Sequence, residues 1–370
     1  MKHKYLFISF IIFFYIAVLT SSFYLNESYK NYLLIRILIL SNFIIIIFLS
    51  GRHILIYSII TFIFFMFFSW IIQNSYFIHF YILFIFSLIF IFHYEKLTLK
   101  NCFIPIWLGS VLGLFTLLGL YFLGFSDNVV YNFPNGTKKN SLGFVNPNAV
   151  GLITTGIVIL GHYINKKIEF LSLSLFFYIY LQVFARTALV LISVFYFYQF
   201  ILKKLSDKFI KVGITLIIFL SFLVISTLII ENGFYFARLM NLPTFIKLDE
   251  VLSCRLSFAS EYILGKNLLF PSIHKENQDF SWANLVVMLG GVLLYFIVGL
   301  QFFLVFRVER KFLKFNFLCL LLTYSSLFAE NIVYAYFPIG LFVAFPHALI
   351  FNYCIKDLSK FLKKKKFQQN

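Results

Sequence analysis

The chain has 370 residues, of which 61% are hydrophobic, 22% aromatic and only 12% charged, against about 25% charged in an ordinary soluble domain. A water-soluble fold could not hide that much apolar surface, which excludes a soluble enzyme or binding module. The formal charge of +17 does not point to nucleic acid, because the lysines and arginines lie in short patches between apolar runs and not on one domain with stacking aromatics.

In chain order, apolar runs near 5–23, 32–50, 54–72, 77–92, 103–124, 148–164, 169–185, 188–202, 212–230, 283–306, 315–329 and 338–355 predict about twelve membrane-spanning helices. The first run follows MKHK, is too long for a cleaved signal and lacks a small-residue cleavage site, so it reads as a retained helix. The expected fold is an all-α polytopic membrane protein, one integral membrane domain over 1–370, with both termini cytoplasmic. In that topology the inside segments MKHK, GRH, HYEKLTLK, NKK, KKLSDKFIK, RVERK with Lys314 and the C-terminal KDLSKFLKKKK hold about 21 of the 31 basic residues, the bias expected of cytoplasmic loops.

The runs 169–185 and 188–202 meet at FARTALV. Lys166 and Lys167 before them, and Lys203 and Lys204 after them, belong on the same side, so the chain must go out and return with Arg186 at the tip. Arms of about 16 residues span roughly 24 Å, less than the hydrocarbon core of about 30 Å. An arginine below the outer surface needs a water-filled cavity or an anionic partner.

Two outer segments exceed simple connections: 125–147, which is turn-rich with PNG, and 231–282, the long extracytoplasmic loop between helices 9 and 10. Within the second, DEVLSCRLSFASEYILG predicts a helix from about Asp249 to Leu264. Leu252, Leu256, Phe258 and Ile263 would lie on the membrane surface, with Arg255, Ala259 and Tyr262 on another face. Cys102, Cys254, Cys319 and Cys354 are scattered, with Cys254 alone on the outer side, and imply neither a disulfide nor a metal cluster.

SLGFVNPNAVG at 141–151, ART at 185–187, RLSF at 255–258 and DFSWANLVVMLGG at 279–291 resemble, in order and in side of the membrane, the Wzy-type oligosaccharide repeat-unit polymerases of the O-antigen polymerase and ligase family. The resemblance covers roughly residues 140–335. Gly143, Phe144, Asn146, Pro147 and Asn148 match the family's Gly-Phe-x-Asn/His-Pro-Asn element, and Asp279 and Gly290 keep its acid-to-glycine spacing. Phe280 stands where asparagine is usual, and Pro271 near a common glycine.

The resemblance implies polymerisation of undecaprenyl-diphosphate-linked oligosaccharide units into capsular or O-antigen polysaccharide at the outer face of the bacterial cytoplasmic membrane. It implies membrane lipid, a chain-length regulator and a flippase as partners, and no nucleic acid. Diphosphate is already a good leaving group, so the chemistry needs fixed positive charge and a proton acceptor. No Asp-x-Asp pair, Rossmann glycine pattern or P-loop is present, and neither cofactor nor metal is expected.

Arg186, Arg255 and Arg238 are the candidate diphosphate ligands, since guanidinium forks suit bidentate phosphate contact; a snorkelling or solvated charge is the competing reading for each. Asp279 is the candidate general base, or else an N-cap. Glu330 could orient an arginine, and His274 could act as base or phosphate ligand. Asn146 and Asn148 either cap the sixth helix or hydrogen-bond sugar and diphosphate. A ligase using the same carrier and a polysaccharide-unit flippase or transporter are the alternatives; ligases commonly carry histidine at the position of Asp279, and functional-looking charges gathered at the outer side of the second half fit transport poorly.

Overall fold

A computed structural model of the chain describes residues 2–21, 29–72, 76–94, 99–126, 130–132, 138–144, 146–251, 254–271, 281–327 and 338–367. The chain is helical along most of that length because its long apolar runs must satisfy their own backbone hydrogen bonds. In order these are α1 (Lys2–Leu19), α2 (Tyr29–Ser50), α3 (Arg52–Ile72), α4 (Tyr76–Tyr94) and α5 (Leu99–Phe122). After residues 125–146 come α6 (Pro147–Ile164), α7 (Lys166–Val183), α8 (Arg186–Phe200) and α9 (Asp207–Ile229). The long segment after α9 holds three short helices, α10 (Phe234–Met240), α11 (Pro243–Val251) and α12 (Arg255–Ile263). The chain then continues through α13 (Ser281–Arg307), α14 (Arg310–Leu327) and α15 (Gly340–Phe367).

Each apolar run singled out in the sequence falls on one of these helices. Among the described residues, five stretches are long and apolar enough to cross a membrane: Leu33–Ser50, Lys100–Phe122, Arg186–Lys204, Asp207–Met240 and Trp282–Arg307. The chain is therefore a helical membrane protein; the twelve-span arrangement goes further than these five.

Three local features depart from the sequence reading. The segment between α5 and α6 carries a two-stranded antiparallel pair, β1 (Val130–Asn132) with β2 (Lys138–Asn140), where Val130 pairs with Asn140. The single helix expected from Asp249 to Leu264 is two helices, because Cys254 takes the left-handed conformation (φ 61°) and starts α12 afresh. Consequently Leu256 and Ile263 are buried together with Ala259 and Tyr262, and of the residues assigned to the membrane surface Phe258 is exposed, while Leu252 lies outside the described residues. Third, α13 is broken at Gly290, whose φ of 73° and ψ of 151° are not helical.

The helices form two compact units. The first comprises Met1–Ile63, Ile89–Tyr196 and Ala335–Leu341. Here α5 lies tightly on α1 through the GSVLG stretch: a Cβ at Gly113 would stand 2.8 Å from Val18 Cβ, and one at Gly109 would collide with the Ile11 carbonyl oxygen. Small residues four apart let helix backbones approach this closely in a bilayer.

The second unit comprises Phe64–Leu88, Phe197–Tyr334 and Phe342–Asn370. At one of its ends the basic segments are tied together. Arg310 Nε lies 2.6 Å from Asp207 Oδ2, Lys314 Nζ donates to the Lys203 carbonyl at 2.8 Å, and the Tyr198 hydroxyl donates to the Lys314 carbonyl at 2.6 Å. Tyr353 Oη accepts the Glu309 amide at 2.9 Å, which brings α15 to the same end. Three of the segments expected inside, 203–211, 307–314 and the start of the basic C-terminal stretch, thus share one end of this unit.

Candidate functional site

In the first unit the candidate residues gather where two helices begin. Asn146, with an extended backbone, caps α6: its side-chain oxygen accepts the Asn148 amide at 2.7 Å, and Pro147 occupies the first turn, where a missing N–H costs nothing. The left-handed turn at Leu142 and Gly143 and the fully buried Phe144 lead into that cap. One turn into α6, a Cβ on Gly151 would stand 2.6 Å from Ala185 Cβ and 3.0 Å from Ala188 Cβ. Ala185 and Ala188 flank Arg186, the first residue of α8. Asn148 lies three residues before Gly151, about 4.5 Å along the helix, so the Asn-Pro-Asn cap and Arg186 share one corner.

The register along α6 and α8 makes this a parallel pair. Thr155 Oγ1 lies 3.5 Å from the Ala188 carbonyl, and further down His162 meets Phe195 edge-to-face at 5.2 Å. Between them α7 runs the other way. Phe184 ends it in the left-handed conformation (φ 49°, ψ 42°), and the return of α8 brings the Tyr196 hydroxyl to Glu169 Oε1 at 3.1 Å. The chain does reverse direction about FARTALV.

Both helix starts at this corner lack an acidic residue in their first turn. Their aligned peptide dipoles therefore leave a positive potential that no carboxylate on either first turn cancels. Arg186 is exposed at the corner, while Asn146 and Asn148 are half-buried. An anion is the ligand that such an arrangement attracts.

The far end of the three helices is closed by side chains. Glu169, 8% exposed, lies 2.8 Å from His162 Nδ1 and 3.0 Å from Lys166 Nζ, and takes the Tyr196 hydroxyl. One carboxylate thereby joins α6, α7 and α8. Sequence reasoning missed this junction, although a lone carboxylate entering an apolar run seven residues after a histidine was a visible signal.

In the second unit Arg255 is the first residue of α12 and half-buried. The amides at that helix start are already taken: Asp249, itself buried, accepts the Leu256 amide at 2.7 Å, the Ser257 amide at 3.3 Å and the Ser257 hydroxyl. Asp249 was read as opening this helix; it lies instead in the last turn of α11 and caps the next helix across the break. Arg238, on α10 beside α12, is exposed and paired with Glu231 at 3.1 Å, which divides its charge between a carboxylate and any ligand. His274, Asp279 and Glu330 lie outside the described residues, and no group of His, Cys, Asp and Glu that could hold a metal occurs among those described.

Of the predicted ligands, then, Asn146, Asn148 and Arg186 come together in the first unit, and Arg238 and Arg255 sit on neighbouring helices of the second. No protein-family model, curated protein or solved structure matches this chain.

Proposed function

We propose that this protein is a bacterial cytoplasmic-membrane glycosyltransferase that polymerises undecaprenyl-diphosphate-linked oligosaccharide units at the outer face, with Arg186 and the starts of α6 and α8 holding the departing diphosphate. The observation that carries this reading is the corner at which Arg186 meets two helix starts without an acidic first turn. A diphosphate leaving group gains negative charge as the glycosidic bond breaks, and preset dipoles with a guanidinium stabilise that charge without reorganising. Asn148 supplies an amide beside them. Arg255 stands as a second guanidinium on α12; its helix start is already neutralised by Asp249, so the side chain alone would act. Asp279 takes the proton of the acceptor hydroxyl in this mechanism.

Purified protein in liposomes with synthetic undecaprenyl-diphosphate repeat units tests it. A ladder of products is expected from the native chain. Arg186→Ala should reduce its rate on the order of 10²-fold or more, and Arg186→Lys should recover only part because a point charge lacks the fork. A normal ladder from inserted, folded Arg186→Ala would overturn the assignment, and translocation of the lipid without bond formation would identify a flippase instead.

A further inference from the structure

The break in α13 is filled by another part of the chain. The Gly291 amide, freed by the break, donates to the Leu268 carbonyl at 2.7 Å, and the Val292 amide points to the Leu269 carbonyl at 3.2 Å. Residues 268–270 thus cap the second half of α13, 291–307, as a side chain caps an ordinary helix start. Leu268 is fully buried, and Asn267 Oδ1 accepts the Leu269 amide at 3.1 Å, which turns the chain into the slot.

Only glycine permits this fit. A Cβ at residue 290 would stand 2.5 Å from the Phe270 carbonyl carbon, 2.7 Å from its Cα and 2.7 Å from the Leu269 oxygen. All three are backbone atoms, so no rotamer change relieves the clash. The φ and ψ of Gly290 also fall at the edge of a region that residues with a Cβ essentially never enter.

The inserted segment follows directly on α12. The Gly265 amide donates to the Asn232 carbonyl at 2.9 Å, so the C-terminal side of α12 is fastened to the turn that ends α9, and the next residues enter α13. The start of α12 is held separately by Asp249.

We propose that residues 267–271 are a strut locked into the glycine break of α13, and that Gly290 is a positioning residue that sets where α12 holds Arg255. The part concerning Arg255 rests on the polymerase reading above; the strut does not. Spin labels at Phe258→Cys on α12 and Phe296→Cys on α13, both exposed positions, in a background without the four native cysteines, read the distance between the two helices. The native sequence should give one narrow distribution. Gly290→Ala should shift or broaden it, and Leu268→Ala should do so in the same sense if Gly290→Ala fails to fold. Gly291→Ala is the milder comparator, because its new Cβ meets Ile229 side-chain atoms at 3.2 Å and the Leu268 oxygen at 3.3 Å.

In the ladder assay, Gly290→Ala should raise KM several-fold more than it lowers kcat, and should add little to Arg255→Ala. A distribution unchanged in folded Gly290→Ala or in Leu268→Ala overturns the strut. A shifted distribution with an unaltered ladder leaves the strut standing and overturns its effect through Arg255, whereas absence of any ladder from the native chain refutes the polymerase reading and leaves the distance result to decide the strut.

Discussion

The α6–α7–α8 hairpin and the broken α13 solve the same problem, fixing a helix start in an apolar bundle, by opposite means. The first uses side chains: Glu169 joins three helices at one end, and small residues bring Arg186 against α6 at the other. The second uses backbone, with carbonyls of residues 268 and 269 capping amides at 291 and 292. Side-chain clasps can be removed one atom group at a time, whereas a backbone strut stands or falls with the one residue that admits it.

That contrast can be broken by substitution. Gly290→Ala should have the largest effect, about 3–5 kcal/mol against the second unit, from the disallowed conformation and the backbone clash together; thermal unfolding in detergent would show it. Glu169→Ala should come next at about 2–4 kcal/mol, because it leaves His162 and the Tyr196 hydroxyl facing an apolar gap, and Glu169→Gln should restore much of it by keeping an acceptor. Asp249→Ala should lose about 1–2 kcal/mol, seen as faster hydrogen exchange at Leu256 and Ser257. Lys166→Ala should change stability by less than about 0.5 kcal/mol, since that lysine is 84% exposed. Equal losses from Lys166→Ala and Glu169→Ala would show that the clasp is not a clasp.

What the sequence allowed to be read follows the same division. The Asn146-Pro147-Asn148 start was legible because capping acts within three residues, and the reversal at Arg186 was legible because lysines on both flanks demanded it. The stretch from Asp249 to Leu264 misled, because Asp249 caps α12 from seven residues away across a left-handed Cys254, a distance no local capping pattern covers. The Glu169 junction draws on residues 162, 166 and 196, which only the folded hairpin brings together. Gly290 was noticed for its spacing from Asp279, but a glycine in an apolar run leaves the helical periodicity intact, so the break itself was silent.

The length of α9 sets how far that break lies from the Asp207–Arg310 end of the unit. Its 23 residues measure about 34 Å, close to one hydrocarbon thickness of about 30 Å, with the Asp207–Arg310 pair at one end and Ile229 against Gly291 at the other. Residues 291–307 give a shorter measure along α13, about 25 Å. The amides released from the helix at position 290 are held by the carbonyls of residues 268 and 269, and Gly290, Gly291 and Leu268 are all buried, which is the setting in which a broken helix is tolerated in an apolar bundle.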